Sequence, residues 1–103
     1  MKIYLSPSLQ EKNVGAGNYG TEEKRMNQLT DALQPLLVKY GYQVFRNIPT
    51  MTLAEAVKDS NNKKVDLHLA LHSNAGGGRG CEVYCHKYGG NGEKYARAIY
   101  KYL

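Results

Sequence analysis

A few side chains in this sequence have types and spacing suited to chemistry at a polar cleft. His72 closes the run Val65-Asp66-Leu67-His68-Leu69-Ala70-Leu71-His72. Ser73, Asn74 and the glycine-rich stretch Gly76-Gly77-Gly78-Arg79-Gly80 follow it. An imidazole at the end of an apolar segment can bind a metal or carry a proton, and glycines beside it let backbone and ligand approach closely. The plainer role, a structural histidine, is the commoner one at a strand end. His68 shares a strand face with His72 but stands about 13 Å away by strand rise. It cannot share a metal ion with His72 and reads as a packed or hydrogen-bonded core histidine. Glu22 and Glu23 open a helical pattern, where carboxylates either complement the helix dipole or stand at the mouth of a site. The glycine run lacks the GxxxxGK[ST] pattern and precedes a strand, so its phosphate-loop signal is weak.

The elements that must position these residues follow from patterning. Lys2 to Leu5 is a short β-prone run ended by Ser6-Pro7-Ser8. Leu9 to Gly20 has three glycines and no apolar periodicity; a connection that long in a small domain is more often functional than idle. Thr21 is a good N-cap. Met26, Leu29, Leu33, Leu36, Leu37 and Tyr40 then keep helical spacing up to Gly41, with a kink or break expected at Pro35. Tyr42 to Ile48 reads as a second strand, Thr52-Leu53-Ala54-Glu55 as a capping box opening a second helix, and Val65 to His72 as the third strand. Cys81 to Cys85 reads as a fourth strand, and a last helix begins at Asn91 and runs off the chain at Leu103. About four strands alternating with three helices predict an α/β fold: a mostly parallel sheet with helices on both faces, in one domain spanning 1–103. Ligands gather at the carboxyl ends of such strands, where Ser6 to Gly20 and His72 to Gly80 leave the sheet.

Composition narrows the class. The chain is 42% hydrophobic and 22% charged, which argues against disorder. Nine tyrosines and no tryptophan place several phenols at a core rim or polar cleft. A net charge of +5 is spread along the chain, so a solvated basic surface is the bland reading and attraction to a polyanion the sharper one. Basic residues do not cluster with the aromatics on one face, which disfavours nucleic acid as a partner. Cys81 and Cys85 lie about 13 Å apart along a strand, beyond disulfide reach, and are expected to be buried free thiols. The N-terminal apolar run is too short for a signal peptide, and no stretch is long enough to cross a membrane. Cytoplasmic synthesis is expected, without a membrane partner.

Three segments together resemble the zinc-dependent N-acetylmuramoyl-L-alanine amidases, the peptidoglycan-cutting autolysins and endolysins. Ile3-Tyr4-Leu5-Ser6-Pro7-Ser8 is similar to the family's first strand and turn. Gly20-Thr21-Glu22-Glu23-Lys24 with Asn27 is similar to its glutamate-bearing helix start. Asp66 through Ala75, followed by Gly80-Cys81-Glu82-Val83-Tyr84, is similar to its histidine strand and the strand after it. Glu55 in the capping box also fits its second helix. The resemblance implies hydrolysis of the amide between N-acetylmuramic acid and L-alanine by a zinc-activated water, with peptidoglycan as the partner, on the cell wall after release or export. His72 matches one zinc ligand and Glu23 a second, with Glu22 the neighbouring alternative because the helix register is open. Ser73, Asn74 and Glu82 match substrate-binding positions around the site.

The sequence also departs from the pattern. The family's first ligand is a histidine after the first strand, where this chain has Leu9 in a Ser6-Pro7-Ser8-Leu9-Gln10 turn. A catalytic zinc wants three protein ligands and an open position. Gln10, Glu11, Asn13 and His86 are the remaining candidates, although amide oxygens suit zinc poorly. The family's general-base glutamate sits on a late strand, expected beyond Leu103. The chain therefore reads as a divergent member lacking the C-terminal part of the domain. An open sheet edge would then favour self-association. The competing reading is a non-catalytic peptidoglycan-binding module with a degenerate metal site.

Overall fold

In the computed structural model, which describes residues 1–9, 22–73 and 81–103, the chain runs β1 (Lys2–Pro7), α1 (Glu22–Lys39), β2 (Gln43–Arg46), α2 (Leu53–Asn62), β3 (Leu67–Leu71) and α3 (Asn91–Tyr100). The three strands form one parallel sheet in the order β2-β1-β3. The fold is α/β.

β1 is central because its side chains can be buried on both faces. Ile3, Tyr4, Leu5, Ser6 and Pro7 are all buried, with Tyr4 and Leu5 fully so, the pattern expected of a parallel strand covered by helices. The chain steps from β1 to β2 through α1, then back across β1 to β3 through α2. Right-handed crossovers in opposite directions put the two helices on opposite faces. The contacts agree. Arg46, which pairs with Leu5, reaches Asp31 and Asn27 of α1. Tyr4, on the other face, donates its hydroxyl to Asp59 of α2 at 2.8 Å and stacks on His68 of β3 with ring centroids 5.0 Å apart.

Local signals explain the element ends. α2 opens on the expected capping box, with Thr52 Oγ1 accepting from the Glu55 amide and Glu55 accepting from the Thr52 amide. α1 stops before Gly41, whose φ of +91° suits glycine. Where a kink or break was expected at Pro35, α1 runs unbroken to Lys39. Pro35 and Asp31 are both exposed, so water can take the carbonyl that a residue with an N–H would have bonded.

β1 extends two residues further than its apolar run, through Ser6 and Pro7. In a parallel strand, alternate residues address alternate neighbours. Leu5 O accepts from the Asn47 amide on the β2 side, and the Ser8 amide donates to Leu71 O on the β3 side. Pro7 therefore points its missing N–H toward the β2 side, beyond the end of β2 at Arg46, where no ladder bond is lost. The buried Asn47 side chain completes the edge, donating to Pro7 O at 3.1 Å and Ser6 Oγ at 3.2 Å.

Several expectations are corrected. Cys81 to Cys85 is not a strand: those residues have no regular structure, and the described sheet has three strands rather than four. Alternating β-prone residues need a ladder partner to become a strand; here Tyr84 turns its hydroxyl to nearby Glu82 instead. Without sheet cover the thiols are free but not buried, Cys81 being exposed and Cys85 half-buried. α3 ends at Tyr100, capped by Lys101, instead of continuing through Leu103. The apolar stripe of α1 is only partly used, since Leu29 and Leu36 face outward while Thr30 is buried and returns its hydroxyl to Met26 O. Of the tyrosines, Tyr4 is in the core, whereas Tyr40, Tyr84, Tyr88 and Tyr102 are largely exposed. No helix among the described residues is long and apolar enough to cross a membrane.

Truncating Leu5 to Ala removes a fully buried side chain from the central strand and is expected to cost about 2–5 kcal/mol in denaturant unfolding. Burial holds the His68 imidazole below its ordinary pKa of 6.5. Below pH 6.5 the unfolded chain therefore takes up a proton that the folded chain refuses, and stability falls until the folded value is passed. Melting temperatures measured from pH 7.5 to 5 should show this decline, and His68→Phe, which keeps the stack on Tyr4, should flatten it.

Candidate active site

The order β2-β1-β3 places a reversal of strand order between β1 and β3, and in open α/β sheets ligands bind outside the carboxyl ends of the strands at such a switch point. Ser8 leaves β1 there and His72 leaves β3 there. The first turn of α1 arrives at the same place. Glu22 is 2% exposed, and its carboxylate joins the two strand ends: Oε2 accepts from Ser8 Oγ at 2.6 Å and Oε1 from the Ser73 amide at 2.5 Å. His72 Nδ1 stands 3.8 Å from Glu22 Oε2, with the His72 side chain about half exposed (48%). A buried anion thus faces an imidazole that solvent can reach. Hydrogen bonds from both flanks compensate the cost of burying Glu22 as an ion.

Glu23 is buried beside Glu22 at the start of α1. Among the described residues it is Glu22, the neighbouring alternative in the sequence reading, that lies close to His72. Ser73 takes part through its backbone amide to Glu22 and through its hydroxyl, which accepts from Arg25 Nη2 at 3.0 Å. Asn74 lies outside the described residues, as do Gln10, Glu11 and Asn13. Glu82 is exposed and accepts from the Tyr84 hydroxyl at 2.6 Å. His86 lines an open groove of about 530 Å³ between the Val83–Tyr88 segment and α3, a groove whose lining includes none of Ser8, Glu22 or His72.

Two participants were not singled out from sequence. Ser8 lay inside a turn read only as a strand terminator, though its place at the carboxyl end of the first strand was a signal. Arg25 stands three residues after Glu22, the spacing that puts two side chains on one helix face.

An imidazole and a carboxylate form a donor pair that zinc accepts. Their 3.8 Å separation compares with roughly 3.4 Å for two donors about 2.1 Å from a tetrahedral ion, a difference that a small side-chain rotation covers. The pair fits two positions of such a site. Among the described residues no group of three His, Cys, Asp or Glu side chains converges, so a third ligand is not assigned to any of them.

Comparison with known proteins bears on the same residues. The N-acetylmuramoyl-L-alanine amidase family model matches residues 3–103. The N-acetylmuramoyl-L-alanine amidase CwlM of Bacillus licheniformis is 30% identical over 90 residues, covering 82% of this chain and 36% of that relative. The chain thus spans little more than a third of the relative's length. No solved structure matches. With the strand-end histidine, the helix-start glutamates and the α/β sheet in place, the family match over nearly the whole chain is decisive: the chain belongs to the N-acetylmuramoyl-L-alanine amidase family.

Proposed function

We propose that this domain acts on bacterial peptidoglycan, hydrolysing the amide between the lactyl group of N-acetylmuramic acid and L-alanine. The observation that supports the reading most is the buried Glu22 carboxylate, held between the ends of β1 and β3 with His72 Nδ1 3.8 Å away, in a chain of this family. In the proposal His72 and a helix-start glutamate hold a zinc ion, with Glu22 the better placed and Glu23 the residue matched by sequence. A bound zinc would polarise the amide carbonyl and lower the pKa of its water to about 7.

The roles of the chain's own groups follow from their contacts. Ser8 Oγ and the Ser73 amide fix the Glu22 carboxylate between the two strand ends. His72, half exposed, brings its Nδ1 to 3.8 Å from that carboxylate. Ser73, Asn74 and Glu82 are assigned to the substrate by resemblance. The proton-shuttling glutamate that the resemblance also implies is assigned to no residue of this chain.

The experiment is release of free N-terminal alanine from purified peptidoglycan, with zinc content measured in parallel. Expected is release that a chelator abolishes and added zinc restores. His72→Ala should lose both metal and activity. Ser8→Ala, which removes an outer partner of the carboxylate, should weaken zinc binding about 10–100-fold. Release that ignores a chelator would overturn the zinc mechanism. Binding of wall fragments with neither zinc nor cleavage would establish the recognition-module reading instead.

A further inference from the structure

Arg25 is the site's unspent cation. Its Nη2 donates to Ser73 Oγ at 3.0 Å, beside the backbone amide that holds Glu22. Its Nε is buried and has no hydrogen-bond acceptor among the described residues. The other two arginines in the described segments are each paired with a carboxylate, Arg46 with Asp31 and Arg97 with Glu93. Arg25 makes no ion pair among the described residues, although two glutamates stand within a turn of it. A guanidinium has five donors in a planar fork. Leaving a buried donor without an acceptor is costly, and the cost is relieved when a carboxylate arrives, because a planar carboxylate matches the fork two bonds at a time. Bracing by Ser73 holds one arm of the fork at the residue that follows His72.

On the proposed function, the ligand beside His72 is a muramyl peptide, and the nearest anionic group it can carry beyond the scissile amide and L-alanine is a carboxylate on the next stem residue. We propose that Arg25 is a specificity-determining residue that binds this free carboxylate, so that the site prefers stems with an acidic second residue over stems in which that carboxyl is amidated. The inference rests on the proposed peptidoglycan function. It also accounts for how an anionic stem approaches a site that already holds the Glu22 carboxylate: the guanidinium offsets it at the point of contact.

The test uses two muramyl tripeptides, N-acetylmuramoyl-L-alanyl-γ-D-glutamyl-L-lysine and the same compound with its glutamyl α-carboxyl amidated. Calorimetric titration should show the wild-type chain binding the acid form about tenfold more tightly, the scale of one charge-assisted bidentate pair. Arg25→Gln should bring the ratio close to one by weakening the acid form alone. Arg25→Lys, which keeps the charge and loses the fork, should fall between. Equal wild-type affinities, or an Arg25→Gln variant that weakens both compounds alike, would overturn the inference while leaving the proposed function standing. Failure of the wild-type chain to bind either compound would overturn both. The wild-type ratio needs no variant, so the test does not depend on Arg25→Gln folding normally.

Discussion

A carboxylate taken out of water needs hydrogen bonds, and Glu22 finds them only where β1 and β3 end side by side. Ser8 Oγ reaches it from one strand end and the Ser73 amide from the other. This demand ties the first turn of α1 to the switch point of the sheet. It also fixes the relation between α1 and His72, since Ser73 is the next residue after the imidazole. Neither strand end can shift in register without releasing a buried charge, so the site's geometry is coupled to the pairing of β1 with β3. Asn47 serves the same end from the β2 side, closing the last carbonyl of β1 that the ladder cannot reach.

The opposite face has a different logic. Tyr4 is buried and still needs a partner for its hydroxyl, which Asp59 supplies; burial together with that carboxylate pushes the phenol pKa well up. Asp59 is in turn held below its ordinary range, chiefly by the hydrogen bond from Lys63 and then by that from Tyr4. His68 stacks on the same ring. His68 and His72 therefore sit in different surroundings: His68 is packed on the α2 face within β3, and His72 stands past the strand's end in reach of solvent. The candidate site residues thus lie at the carboxyl ends of the strands and the packing residues within them.

Much of this was legible in residue order. Apolar runs located the three strands, Gly41 and the Thr52–Glu55 box marked helix ends, and the separation of His68 from His72 followed from strand rise. The strand once expected at Cys81 to Cys85 was not legible, because β propensity there depends on a neighbour to pair with, and the described β3 does not provide one. The pairing of Glu22 rather than Glu23 with His72 was equally hidden. Adjacent residues on a helix point about 100° apart, and only the docking angle of α1 on the sheet decides which one meets the strand ends.

What the amino-acid order determined by itself was whatever rests on local periodicity and residue chemistry: the α/β class, the parallel sheet and the capping box of α2, with a histidine and two glutamates marked as candidates for the site. Tertiary structure alone decided what depends on segments far apart in sequence. Ser8, Glu22 and Ser73 are brought into one hydrogen-bonded group across separations of 14 and 51 residues, and Arg25 meets Ser73 across 48. Such contacts follow from strand order and helix docking, and those are set by burying all of β1 at once rather than by any single stretch of sequence.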